Sequence, residues 1–244
     1  MYISRWIAIG VLVLFVACGR YFPGAIRPMP EEQQEARMAV KDDGTVLYTY
    51  ERLEIGLRPL SDEELNRTFA TQSKAGAEST NPYTYGNWTP MGEDWTPQRF
   101  TVFLLKVKNY VYPKMRVDPY KAELISENER FYAALTLAEL AEYYRAHALG
   151  QAGNLYELFE ERKDILKRTL YSGDMLFSGQ DSEGYLVFPA LHPDVTRFSV
   201  ALRDIALRFD YQDRPIETLD LTFRFRRDVH KGYRPPPALT ERGR

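Results

Sequence analysis

Leu219-Asp220-Leu221-Thr222-Phe223-Arg224-Phe225-Arg226 sets four apolar residues in alternation with four polar ones. A two-residue period puts successive side chains on opposite faces of an extended chain, so this stretch is a strand with one face in a core and the other in water. Just upstream, Phe198, Val200 and Leu202 hold an even apolar phase, whereas Ile205, Leu207 and Phe209 hold an odd one. A one-residue slip exchanges the two faces, so a bulge or tight turn is expected near Arg203-Asp204. Tyr185-Leu186-Val187-Phe188, closed by Pro189, reads as another strand, and Gly173 and Gly184 bracket the loop before it. Residues 100–108 are apolar in both phases, as in a strand covered on both sides, and Asn109 with Pro113 marks the following turn. Residues 115–126 and 130–134 continue the pattern, and residues 45–57 form a further strand.

One excursion has a different period. Thr136 and Glu139 make a capping-box pair, Leu137, Leu140, Ala141, Tyr144 and Ala148 fall on one helical face, and Gly150 can end the helix. Asn154 with Glu157 repeats the start signal, and Leu155, Leu158, Phe159, Leu166 and Leu170 form a second stripe, giving a helical hairpin over residues 136–171. Ser61-Asp62-Glu63-Glu64 opens a shorter helix reaching about Phe69, and residues 71–98 are irregular and rich in glycine and proline. Short strands separated by turn signals around one helical insertion describe a mainly β chain, an antiparallel β-sandwich with an inserted α-helical hairpin. The strand ending Leu104-Leu105-Lys106-Val107-Lys108-Asn109, the segment Gly184-Tyr185-Leu186-Val187-Phe188-Pro189 and the alternating final strand resemble those of immunoglobulin-like domains in secreted bacterial lipoproteins. That resemblance spans most of residues 45–228, lacks the Cys-Trp-Cys pattern of antibody domains and implies a fold only.

The chain has 244 residues, with 32 Lys+Arg against 34 Asp+Glu and a single cysteine. This near-neutral balance lacks the basic footprint of a dedicated nucleic-acid binder, so no nucleic-acid partner is expected. One cysteine excludes an internal disulfide framework and any zinc site built from several thiolates.

That cysteine has a telling position. Met1-Tyr2-Ile3-Ser4-Arg5 is a short basic start, residues 6–17 are an apolar run, and Cys18-Gly19-Arg20 follows. As a helix the run would span only about 18 Å of a hydrocarbon core roughly 30 Å thick. Phe15-Val16-Ala17-Cys18 resembles the lipobox of bacterial lipoprotein signal peptides, with Phe15 in place of the commoner leucine. The resemblance implies cleavage after Ala17, so that residues 1–17 are a signal peptide, and a diacylglycerol with an N-acyl lipid on Cys18. An ordinary signal peptide with an incidental cysteine is the alternative. No aspartate follows Cys18, which by the same resemblance implies the outer membrane, facing the periplasm or the cell surface.

The rest of the chain then divides into a lipidated N-terminus and tether at residues 18–43, the sandwich at 44–230 and a basic, proline-rich tail at 231–244. Pro23, Pro28 and Pro30 with the polar run 31–35 suggest a flexible tether reaching roughly 25 to 30 Å.

No catalytic constellation emerges. His147, His192 and His230 are scattered without zincin spacing, and no phosphate-binding loop occurs. Gly179-Gln180-Asp181-Ser182-Glu183-Gly184 is one residue too long for a nucleophile elbow and reads as a polar turn. The pairs Glu63-Glu64 and Glu160-Glu161 read as solvated helix faces, and no metal or further cofactor is expected. Two surface features remain. Tyr83, Tyr85, Trp88 and Trp95 could anchor a peptide or glycan partner, or fold back to cap the edge of the sandwich. The seven Lys/Arg of residues 224–244 could meet anionic lipid or an acidic partner, or form a soluble tail. The expectation is a lipid-anchored envelope protein, non-enzymatic, acting as a binding or assembly subunit for a protein partner. The alternative is a peptidoglycan- or carbohydrate-binding lipoprotein using the aromatic loop, and behind it a divergent secreted hydrolase.

Overall fold

The computed structural model describes residues 19–93, 95–150 and 156–237, so Cys18 and the signal segment lie outside the described residues. In chain order the elements are β1 (Arg20–Pro23), β2 (Arg27–Pro28), β3 (Met38–Val40), β4 (Val46–Tyr50), β5 (Leu53–Leu60), α1 (Asp62–Thr68), β6 (Phe100–Asn109), β7 (Lys114–Met115), β8 (Ala122–Ser126) and β9 (Phe131–Ala133). They continue as α2 (Leu137–Gly150), α3 (Tyr156–Thr169), β10 (Leu176–Phe177), β11 (Gln180–Pro189), β12 (Arg197–Phe209), β13 (Pro215–Arg226) and β14 (Val229–Gly232).

Two five-stranded antiparallel sheets carry the fold, ordered β11-β6-β5-β4-β3 and β2-β13-β12-β8-β9. Their inner faces share one core. Leu221, Phe223 and Phe225 point inward from β13 against Val46, Ile55, Phe103 and Leu105 of the opposite sheet. The Phe103 ring lies 5.0 Å from Phe225 and 6.4 Å from Phe198, so aromatic contacts tie the sheets together at mid-height. The chain is thus an antiparallel β-sandwich with an inserted helical hairpin. The expected phase change in β12 is a bulge: pairing with β13 slips between Leu202 and Ile205, and Asp204 adopts φ 51°.

β6 is apolar on both sides because it has two cores to fill. Phe103, Leu105 and Val107 face the sandwich interior, while Val102 and Leu104 face a second core on the sheet's outer surface. There α2 and α3 bury Leu140, Tyr144, Phe159, Ile165 and Leu166 against Val187 and Leu65. The capping box forms as expected, with Thr136 N donating to Glu139 Oε2 at 2.8 Å and Glu139 N donating to Thr136 Oγ1 at 3.1 Å. After α3 the chain returns along β11, where Tyr171 N donates to Tyr185 O at 3.0 Å. Gly184 permits this approach, since a Cβ there would stand 2.5 Å from Tyr171 Cα.

Three sequence expectations are corrected. Residues 45–57 are two strands, not one: the chain turns at Glu51, φ 52°, and the apolar residues on both sides concealed the hairpin. The polar stretch 179–184 is mostly strand, because Gln180 to Glu183 pair with Asn109 to Lys106 and Lys106 neutralises Glu183 at 3.0 Å. The third correction concerns the tether. β1 pairs with β14, β2 with β13, and β3 with β4. The Gln34 amide completes this strap, donating to Arg224 O at 2.8 Å and accepting from Arg224 N at 2.9 Å. A side chain supplies the hydrogen bonds of a missing edge strand, so residues that look like a polar linker are held by the sheet. The basic tail is likewise part of the fold at its start, since Lys231 lies in β14 and the buried Arg227 donates to Val195 O at 2.8 Å.

Candidate functional site

Residues 71–98 contain little regular structure, yet their first half is tightly bonded. Asn81 is fully buried; its Nδ2 donates to Ser73 Oγ at 2.9 Å, and its Oδ1 accepts from Tyr83 N at 2.9 Å. Asn87 N donates to Ser73 O at 2.8 Å, and the adjacent Gly86 has φ +62°. A Cβ on Gly86 would stand 2.5 Å from Ser73 O, so the loop crosses itself only because this residue has no side chain.

This bonding decides where the four candidate aromatics go. Tyr83 is 0% exposed, so it is not the partner anchor that its loop position suggested. Its hydroxyl bonds to Thr169 Oγ1 on α3, and its ring packs edge-on against Tyr185 at 5.2 Å. Tyr85 is half-buried, with the Arg99 guanidinium 4.0 Å above its ring and Trp88 at 5.5 Å. Trp95 stands edge-on to Phe22 of β1 at 5.5 Å. Thr96 Oγ1 donates to Trp88 O at 2.8 Å, closing this part of the loop. One of the four thus serves the core, while Tyr85, Trp88 and Trp95 line a broad open cleft.

The cleft has a volume of about 1790 Å³. It is also lined by the strap at Pro23, Ile26 and Pro28, the turn at Asp42 and Asp43, and the start of α1. Asp62, in the first turn of α1, also lines it. The residue is half-buried overall, but its Oδ1 is enclosed and has no hydrogen-bond partner in the protein; the Nε of Arg99 is in the same position. Burial pushes the Asp62 carboxyl up to about 7 against the attraction of Arg99. Arg99 is held from the other side by Tyr144, to whose hydroxyl it donates at 3.3 Å, and Tyr144 donates in turn to Pro82 O at 2.5 Å.

Asp62 and Arg99 were not legible as site residues. Asp62 looks like an ordinary first-turn acid beside the capping pair Ser61 and Glu64, and Arg99 like a charge at a strand entrance. The neighbouring acids behave as expected: Glu64 completes the cap and pairs with Arg58 at 2.6 Å, and Glu160 pairs with Lys163 at 3.4 Å. His192 is held at 2.6 Å by Asp194, which also takes a bidentate grip from Arg130. The ring of His230 lies 6.5 Å from Phe22. Among the described residues no group of three His, Cys, Asp or Glu is arranged to hold a metal ion, and no helix is long and apolar enough to cross a membrane. Cys18, the lipidation candidate, lies outside the described residues.

No family model and no curated protein matches the chain. Among solved structures it is similar to MPT63, a secreted protein from Mycobacterium tuberculosis, at 12% identity and a TM-score of 0.31, over 68% of this chain and 90% of that one.

Proposed function

We propose that this chain is a lipid-anchored envelope protein that works by binding, and that its ligand is a hydroxyl-rich chain of glycan type laid in the cleft. The observation that carries the reading is that Tyr85, Trp88 and Trp95 line the same cleft as the half-buried carboxyl of Asp62. Aromatic faces supply rigid apolar contact to the C–H faces of a sugar ring, and the open side of the half-buried Asp62 carboxyl can accept from a hydroxyl. The anchor rests on the lipobox-like Phe15-Val16-Ala17-Cys18. Titration with soluble peptidoglycan fragments tests the ligand class. Binding is expected, with Trp88→Ala weakening it about tenfold while lowering the melting temperature by no more than about 4 °C. Equal affinity of the variant and the parent chain would remove the cleft from the reading.

A second reading, assembly with a protein partner, has its own observation. The far ends of β12 and β13 extend as a hairpin whose Tyr211 is 89% and Ile216 67% exposed. Large apolar side chains so displayed suit burial by another protein. Affinity purification in which a partner is lost on Tyr211→Ser/Ile216→Ser, and kept on Trp88→Ala, favours this reading over the glycan one.

A further inference from the structure

A flexible tether would let the domain face its membrane at any angle; the folded strap does not. β1 begins two residues after Cys18 and pairs with β14 in the register Arg20↔Gly232 to Pro23↔Val229. Even Gly19 is packed, since a Cβ on it would stand 3.2 Å from Lys231 Cγ and 3.4 Å from Gly232 N. A lipid on Cys18 is therefore one residue from fixed backbone. At about 3.3 Å per residue the ribbon is only about 13 Å long. It is braced along that length: Phe22 is buried against Trp95 and His230, and Gly24 N donates to Asp228 O at 2.8 Å.

Antiparallel pairing also brings the start of the tail to the anchored end, where Gly232 lies opposite Arg20 and Tyr233 and Arg234 follow. The side chains there have the composition of a membrane interface. Tyr21 is 37% and Tyr233 72% exposed, and Lys231 Nζ lies 5.4 Å from the centre of the Tyr21 ring. Among the described residues the nearby acids are Glu93, which Arg20 neutralises at 2.6 Å, and Asp228 at the ribbon's inner end. Among the described residues neither Lys231 nor Arg234 is in an ion pair with a carboxylate.

We propose that the outer end of the β1–β14 ribbon is the membrane-contact face of this domain, seated on anionic phospholipid headgroups with Lys231 and Arg234 over phosphates and Tyr21 and Tyr233 at the interface. Tyrosine is suited to that depth because its ring is apolar and its hydroxyl wet, and lysine and arginine are drawn to a negative surface. The choice of a lipid surface rests on the lipid-anchor reading of Cys18 and on charge complementarity. Trp95 and Glu93 line the cleft beside this ribbon.

The test uses the processed chain carrying Cys18→Ser, so that no acyl chain contributes, and vesicles of phosphatidylethanolamine with phosphatidylglycerol or of phosphatidylcholine alone. Binding is expected to the anionic vesicles and not to the neutral ones. The double variant K231Q/R234Q should lower partitioning about 25-fold, from about fivefold per cation, and the charge-reversed K231E/R234E should lower it at least as much. R208E, on the distant β12–β13 hairpin, should leave it unchanged. Equal binding by K231E/R234E and the parent chain, or an equal loss in R208E, overturns the proposal. Palmitate labelling of the full chain against Cys18→Ala reports separately on the anchor. Labelling without charge-dependent vesicle binding removes the face and keeps the anchor; vesicle binding without labelling removes the anchor and keeps the face.

Discussion

Replacing Asp62 by asparagine should make the protein more stable at pH 8 and leave it little changed at pH 4. The Asp62 carboxyl is raised from 3.8 to about 7 by burial. A carboxyl whose pKa is raised by folding takes up a proton on folding throughout the interval between the two values. The folded state therefore binds more protons than the unfolded state from about pH 4 to pH 7, and stability falls as pH rises through that window. At about 1.4 kcal/mol for each pH unit the full loss is about 4 kcal/mol, and solvent reaching a half-buried residue reduces it to about 2 to 4 kcal/mol. The amide of the Asp62→Asn variant carries no charge, so that variant lacks this slope. For a domain of this size the difference amounts to roughly 5 to 15 °C in Tm at pH 8. Urea unfolding of both proteins at pH 4.5, 6 and 8 measures it. If the two stability curves run parallel across that range, Asp62 is ordinarily solvated and its place in the site falls. A ligand that donates a hydrogen bond to Asp62 should reduce the slope in the parent chain and leave the variant unaffected, which joins the stability measurement to the binding one.

Three further outcomes follow from the same geometry. Tyr83→Ala should cost about 3 to 5 kcal/mol because it empties a filled site in the second core, whereas Trp88→Ala at the cleft wall should cost about 1 kcal/mol or less; chemical denaturation separates the two. Gly86→Ala should destabilise by about 2 to 4 kcal/mol, since φ +62° and a 2.5 Å approach to Ser73 O act together, and a loss below about 0.5 kcal/mol would mean that the loop crossing is not rigid. Asp194 is held down to about 2 by its hydrogen bonds from Arg130. Its stabilisation is therefore present above about pH 4 and is lost as the pH falls toward about 2. Arg130→Ala should remove that acid-limb slope, worth about 1 kcal/mol or less for so solvated a pair, and leave the neutral-pH limb set by Asp62 in place.

The strap shows most clearly where sequence reading stopped. Residues 20–40 have no apolar period because none of their strands buries a whole face: β1 contributes Phe22 and β3 contributes Met38. Their backbones are held by partners as distant as Gly232 and Arg224, and a side-chain amide at Gln34 does part of the pairing. The stretch 179–184 misled for a related reason, since its polar residues lie at the open end of β11, where a neighbouring strand supplies backbone bonds without apolar burial. The aromatic loop divided for a third reason. Tyr83 and Tyr85 are two residues apart in the same composition, and only the buried Asn81 and the closed crossing at Gly86 send one ring into the core and leave the other at the cleft.

The sequence alone determined what rests on local period and local capping. The alternating β13, the phase slip in β12, the capping boxes at Ser61 and Thr136 and the helical insertion follow from short-range geometry, and each stands in the structure where its pattern placed it. The sandwich followed from those pieces because alternating strands have to bury their apolar faces against one another. Only the tertiary structure decided how the strap and the start of the tail pair, and which aromatics keep company with Asp62. Those outcomes depend on residues up to about two hundred positions apart. Hydrogen bonds between distant backbones leave no periodic mark on composition, so they become visible only when the chain is folded.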